Sequence, residues 1–304
     1  MKKYLNYKGC FFNSAQIVLI VLLAFLTNNI IAQKADPTTA TKKSKVVKNT
    51  FSSVIIMDNQ TVLVPIKGTL EFDIQHRFGT VNNGTKDFFG LFAPSNIRLG
   101  INYSPKNKLF VGVGLTKEKM MFDVNLKYAL LQQTVDNKVP VSVSYFGNVV
   151  MDTRSGDNFR NEVDRLSYFN QLMVARKITD KFSAQASLNL SWYNNVEAYV
   201  DKNGGIQKKM NNEHLSFSVL GRYKVSDKSA VIIGYDQPLT QHLTNNPQPN
   251  ICFGFETNTS AHSFQVFAGN YYNIIPQSNN MFNQNNYRNG QFVIGFNITR
   301  LWNF

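Results

Sequence analysis

The chain has 304 residues, 32 basic against 19 acidic side chains, a formal net charge of +13, and two cysteines, Cys10 and Cys252. With Cys10 inside an N-terminal targeting segment, Cys252 stands alone, which excludes an internal disulfide and a cysteine-based zinc site. The basic balance does not point to nucleic acid. Lysine and arginine are dispersed through alternating segments rather than gathered on one helix, and no DNA- or RNA-binding signature is present.

Residues 1–33 read as a secretory signal peptide: Lys2, Lys3 and Lys8 precede the apolar run 17–26, and Ala32 supplies a small residue near the end. The run is too short to cross a bilayer as a helix, which takes about 20 apolar residues. Residues 34–50 combine Pro37, several threonines and lysines at 34, 42, 43, 45 and 48. That composition predicts a disordered basic linker. In residues 51–67, Val54-Ile55-Ile56-Met57 and Val62-Leu63-Val64 flank Asp58-Asn59-Gln60 and stop at Pro65, which predicts a short periplasmic or rim β segment, a small hairpin.

Residues 68–80, GTLEFDIQHRFGT, carry two chemistries on alternating positions. Leu70, Phe72, Ile74, His76 and Phe78 form one row; Glu71, Asp73, Gln75 and Arg77 form the other. Extended strands turn successive side chains to opposite faces, so this is a strand between two environments. The alternation recurs in segments 96–103, 109–116, 122–130, 141–150, 166–176, 182–193, 215–225, 230–236, 250–256, 263–271 and 291–301, giving twelve strands. Short turns rich in Asp, Asn, Pro and Ser lie at 104–107, 134–139, 179–181, 226–228 and 258–261. Long polar links at 79–95, 151–164, 195–212, 237–249 and 272–289 alternate with them, and only 117–120 is brief among that second set.

An even number of antiparallel strands with short turns at one end and long loops at the other predicts an all-β, up-and-down transmembrane barrel over 68–304 in the cell outer membrane. Alternation alone also suits a secreted soluble barrel that binds an apolar ligand, with the faces reversed. Strand lengths near the 9 to 11 residues that cross a bilayer at a tilt favour the membrane. So do aromatics near strand ends, such as Tyr103, Tyr168, Trp192 and Tyr271, where interfacial girdles lie. Lipid cannot take the ionic rows, so Glu71, Asp73, Arg77, Arg98, Asp123, Lys127, Arg222, Lys224, Asp236 and Glu256 are expected to face the lumen. They either pair and fill it or leave a narrow aqueous path. The last strand alternates Phe292, Ile294, Phe296, Ile298, Arg300 and Trp302 and closes on Phe304, an aromatic of the kind that marks barrels for the outer-membrane assembly machinery.

Two stretches also carry a family likeness. Gly68-Thr69-Leu70-Glu71-Phe72 through Gln75-His76-Arg77-Phe78-Gly79-Thr80 is the first; Phe88-Phe89-Gly90-Leu91 with Ala93-Pro94-Ser95-Asn96-Ile97-Arg98-Leu99-Gly100-Ile101-Asn102-Tyr103 is the second. They resemble an uncharacterised β-barrel family of Gram-negative outer membranes, classified as a domain of unknown function. The resemblance runs from about Phe51 to Phe304, implies an outer-membrane barrel, and brings no catalytic or ligand residues with it.

Enzymatic motifs are scarce. His76, His214, His242 and His262 show no metal-ligand spacing, so no metal or cofactor is expected. Gly112-Val113-Gly114 lacks the third glycine of a dinucleotide site and suits strand packing. A rim lipid hydrolase would need a base beside a nucleophile; His76 with Ser95 is the one candidate pair, without an assignable third group. The expected role is therefore passage of small solutes or an envelope scaffold, with outer-membrane lipids and the assembly machinery as partners. The rim hydrolase and the soluble ligand-binding barrel stand as alternatives.

Overall fold

The computed structural model describes residues 44–304. The signal peptide over 1–33 and the linker up to residue 43 lie outside the described residues. A two-stranded hairpin, β1 (Ile55–Ile56) and β2 (Asn59–Gln60), precedes the barrel. The barrel strands are β3 (Thr69–Thr80), β4 (Asn96–Lys106), β5 (Leu109–Thr116), β6 (Met121–Leu131), β7 (Ser142–Asp152), β8 (Leu166–Lys177) and β9 (Phe182–Tyr193). A small outer hairpin, β10 (Ala198–Val200) with β11 (Ile206–Lys208), interrupts the series. It resumes with β12 (Glu213–Lys224), β13 (Ser229–Pro238), β14 (Asn250–Asn258), β15 (His262–Gly269) and β16 (Val293–Asn303).

Twelve strands close into one antiparallel barrel, each paired with its neighbour in the chain, and β16 returns to β3 through Ile298↔Ile74 and Asn303↔Thr69. Closure leaves no unpaired edge, the condition for a sheet in hydrocarbon. The register keeps the alternation in phase around the ring. Leu115, Phe255 and Val266 point outward with 58–64% of their surface exposed, whereas Asp123, Gln185 and Glu256 point inward with none. An apolar-in soluble barrel would reverse these faces, so the ligand-binding alternative is set aside. Arg300, on an outward row near the periplasmic end of β16, lays its guanidinium over the Trp302 ring at 4.8 Å. Its long stem carries the charge toward the interface.

Links 81–95, 117–120, 153–165, 194–212, 239–249 and 270–292 share the outer end, and the tight turns share the other with Thr69 and Asn303. The 270–292 link contains a helix, α1 (Pro276–Phe282), with Pro276 at its first turn, where a missing N–H costs nothing. Gln277, Ser278, Asn279, Asn280 and Met281 are buried, since the helix packs against β8, β9, β12 and β13 inside the outer mouth.

Two expectations about the N-terminal region change. Over 44–50 the chain is not a free linker: Val46 bridges Thr134, Val47 N–H donates to the Gln133 carbonyl at 2.8 Å, and Val135 N–H donates to the Lys45 carbonyl at 2.9 Å. Backbone pairing with the 132–141 link pins it at the periplasmic end. Residues 51–67, expected as a short periplasmic or rim β segment, run inside the barrel instead. The apolar run that reads as a rim strand finds its partners in the lumen, where Phe51, Ile56, Met57 and Val62 form one core with Phe146, Phe169, Met173, Leu220, Ile232, Cys252 and Phe267.

Candidate functional site: the plugged lumen

The hairpin enters and leaves at the periplasmic end, and its turn at Met57-Asp58 lies deepest. Its outer edges lack strand partners, and buried backbone groups cost free energy unless bonded. Wall side chains supply the bonds. Gln265 accepts from Met57 N–H through Oε1 at 2.9 Å and donates from Nε2 to the Ile55 carbonyl at 2.9 Å. Gln185 does the same on the other edge, accepting from Val62 N–H at 3.0 Å and donating to the Gln60 carbonyl at 2.7 Å. A side-chain amide presents one acceptor and one donor group, so each glutamine completes one rung of a β ladder. Met57 has a left-handed φ of 56°, and its carbonyl accepts from Arg77 Nη2 at 3.0 Å and Asn297 Nδ2 at 2.7 Å. Those bonds offset the roughly 1–2 kcal/mol that a non-glycine residue loses there.

The ionic residues divide between the wall and the plug. Arg98 reaches Asp123 through Nε and Nη2, both at 2.8 Å, and Asp73 through Nη1 at 2.9 Å. Asn102 Nδ2 donates to Glu71 Oε1 at 3.2 Å and Asp73 Oδ2 at 2.9 Å. Arg222 Nε meets Glu256 Oε2 at 2.6 Å, and the other Glu256 oxygen accepts from Ser53 of the plug at 2.6 Å. Lys127 Nζ donates to the Val54 carbonyl at 2.9 Å rather than to a carboxylate. Arg77 stacks on Phe267 at 4.5 Å besides its bond to Met57. Asp236 accepts from Asn59 Nδ2 at 3.0 Å. Nine of the ten ionic residues singled out above are buried. The tenth, Lys224, sits at the periplasmic end of β12 and pairs with Asp227 at 3.0 Å, apart from the rest.

Two glycines make room for the Arg98 cluster. A Cβ on Gly100 would collide with the Asp73 carboxylate, and one on Gly114 with the Arg98 guanidinium. Gly114, which in sequence suits strand packing, thus clears space for a guanidinium. At the deep end, Asp58 Oδ2 accepts from Asn279 Nδ2 of α1 at 2.5 Å, so plug and inward-folded loop meet. The space left beside Asp58, Glu71, Asp73, Arg98 and Asp123 is a cavity of about 30 Å³, room for one or two waters. The periplasmic vestibule below Ser53 and Glu71 is far larger, about 720 Å³, and ends at the plug.

The catalytic alternative finds little support here. The His76 ring stacks on Phe296 at 4.9 Å, and Ser95 accepts a bond from Lys117 Nζ through its backbone carbonyl. No hydrogen bond joins His76 to Ser95 among the described residues. His214 and His242, distant in sequence, do meet, with His214 Nδ1 and His242 Nε2 3.0 Å apart. Among the described residues no group of three His, Cys, Asp or Glu side chains is placed to hold a metal ion. Gln185, Gln265, Asn297 and Ser53, which also hold the plug, carry no charge and follow no motif. Their only sequence signal is an amide or hydroxyl on an inward position.

Several solved structures are similar. A NanC porin gives a TM-score of 0.46 at 9% identity, over 77% of this chain and 99% of that one. An outer membrane channel from Pseudomonas putida F1 gives 0.46 at 12% identity, over 79% and 97%. A KdgM porin gives 0.41 at 9% identity, over 78% and 99%. No curated protein matches the chain. The profile of the membrane bound beta barrel domain family, DUF5777, matches residues 51–302, plug included. With its apolar rows outward and its ionic rows enclosed, this chain belongs to that family and is an outer-membrane β-barrel.

Proposed function

We propose that the protein is a gated barrel for small polar solutes, held shut at rest by its own 51–67 hairpin. The observation that carries this reading is the plug's attachment: it is joined to the wall by side-chain hydrogen bonds, and both its ends leave toward the periplasm. Withdrawal toward the vestibule would uncover a path lined by Glu71, Asp73, Arg98 and Asp123. Both charge signs occur there, which suits polar solutes without strong preference for either ion type. The reading is non-catalytic, because the one nucleophile and base pair proposed from sequence is not hydrogen-bonded. Outer-membrane lipids are its partners along the outward rows, and the barrel assembly machinery, recognising Phe304, is its partner during insertion.

Ser53 and Ser263 supply the test, because their hydroxyls lie 2.6 Å apart across the plug–wall boundary. Side chains this close suit a disulfide between Ser53→Cys and Ser263→Cys. In planar bilayers the wild type is expected to stay mainly closed and to open in bursts under applied voltage. The oxidised double variant should be silent, and reductant should restore the bursts. Conductance that persists in the oxidised form would show that the plug is not the gate. Absence of any opening in wild type and reduced variant would remove solute passage and leave an envelope scaffold.

A further inference from the structure

The outward rows are apolar along their centres apart from His76 on β3, whose ring stacks on Phe296, and one carboxamide on β8. The outward row of β8 reads Leu166, Tyr168, Asn170, Leu172, Val174 and Arg176. Asn170 is the one carboxamide on an outward row set away from a strand end among the described strands; Gln237 is the second-last residue of β13. At about 3.3 Å per residue and a tilt near 40°, Asn170 lies roughly 10 Å below the outer end of β8, inside the hydrocarbon layer. No water is available at that depth, and polar side chains facing the membrane interior mark functional positions by default.

The surroundings of Asn170 form a notch. Gly147 is its cross-strand partner on β7 and contributes no side chain. Tyr145 turns its hydroxyl over the gap and donates to Asn170 Oδ1. Together with Ile101, Val124 and Tyr168 these residues line a groove of about 580 Å³ on the outer wall. Small-molecule sites have that size and that make-up, mostly apolar with a few convergent polar groups. Because Tyr145 occupies the amide oxygen, the Asn170 N–H donors face the groove. They need an acceptor brought by whatever fills it.

We propose that this notch binds a membrane-dissolved amphiphile with a hydrocarbon body and one carbonyl-type acceptor, which the Asn170 amide N–H recognises while the Tyr145 hydroxyl holds that amide by its oxygen. A phospholipid headgroup does not fit the argument, since its polar atoms lie at the membrane surface. The site is on the outer wall and does not depend on the gate.

The test uses the full chain in phosphatidylcholine vesicles with two photoprobes: palmitic acid methyl ester carrying a mid-chain diazirine, and hexadecane carrying the same group. Mass spectrometry maps the adducts. The ester is expected to label strands β7 and β8 around Tyr145 and Tyr168, with labelling lowered roughly tenfold by Asn170→Leu and by Gly147→Leu, the loss of about one hydrogen bond or of the notch itself. Both substitutions place apolar groups toward lipid, and heat-modifiable gel mobility confirms the folded barrel. The hydrocarbon probe should label all strands and ignore both changes. Ester labelling spread evenly around the barrel, or unchanged in Asn170→Leu, would overturn the site in favour of bulk lipid. Dimers formed through a Leu172→Cys disulfide on the outward row of β8, with ester labelling lost from the notch, would overturn it in favour of a second copy as the occupant.

Discussion

Gln265 and Gln185 hold the plug by doing with side chains what a neighbouring strand would do with its backbone. Each bonds one N–H and one carbonyl on its plug edge. Gln265→Leu keeps the bulk and removes the bonds, stranding Met57 N–H and the Ile55 carbonyl and depriving Asn297 of an acceptor. Unpartnered buried groups cost about 1–3 kcal/mol each, so unfolding in denaturant should show a loss of roughly 2–4 kcal/mol. Its outward neighbour Val266→Leu should move stability by under about 0.5 kcal/mol. The Arg98 cluster follows a different logic. A buried ion pair contributes little beyond what a well-packed apolar group would, yet losing one member leaves a buried charge exposed to no partner. The ions are legible in the sequence because charge in a membrane strand is conspicuous; the glutamines are not, because an amide on an inward position is ordinary.

At the scale of elements, the outer loops are joined by the histidine pair. His242 Nδ1 accepts from Asn211 N–H at 3.0 Å, which places the His242 proton on Nε2, facing His214 Nδ1. That arrangement holds for neutral rings only, because a proton on His214 Nδ1 would confront another N–H. Burial pushes His242 below its ordinary value, with the nearby Glu213 charge acting the other way. A histidine kept neutral by folding contributes stability fully above the unfolded value near 6.5 and loses it as pH falls below that point. Links 194–212 and 239–249 should therefore become more open to proteolysis and amide exchange as the pH is taken below about 6.5. His242→Gln should flatten the profile. Glu197 and Asp201 in the same loops sit below the usual carboxylate range because Lys209 and Gln207 bond to them, so their contribution disappears only in stronger acid. None of this pairing was legible in sequence, since His214 and His242 come together only when β12 and the 239–249 link share the outer rim.

For the whole molecule, twelve alternating segments, tight turns at one end and long links at the other were enough to derive the closed barrel and its orientation. The period of two survives because each outward row meets one solvent, lipid, along its length. The inward rows meet several environments, which is why the plug was not legible. Phe146, Phe169, Met173 and Phe267 share the parity of the ionic row and read as interruptions until the hairpin is placed against them. Val54 to Met57 has the composition of any barrel strand, and nothing local says that its neighbours are side chains.

That both legs of the hairpin exit the same mouth has a mechanical result. Tension applied at residue 44 acts on one leg while the other stays anchored in β3, so attachments fail one after another, as in unzipping, instead of sharing the load. The Val46–Thr134 bridge should yield first, then Ser53 from Glu256, then the glutamine clasps. In optical tweezers, pulling from the N-terminal side against a barrel held by an outer loop should extract the hairpin in small steps at low force. The staves should stay intact, and a single high-force rupture would rule out that order.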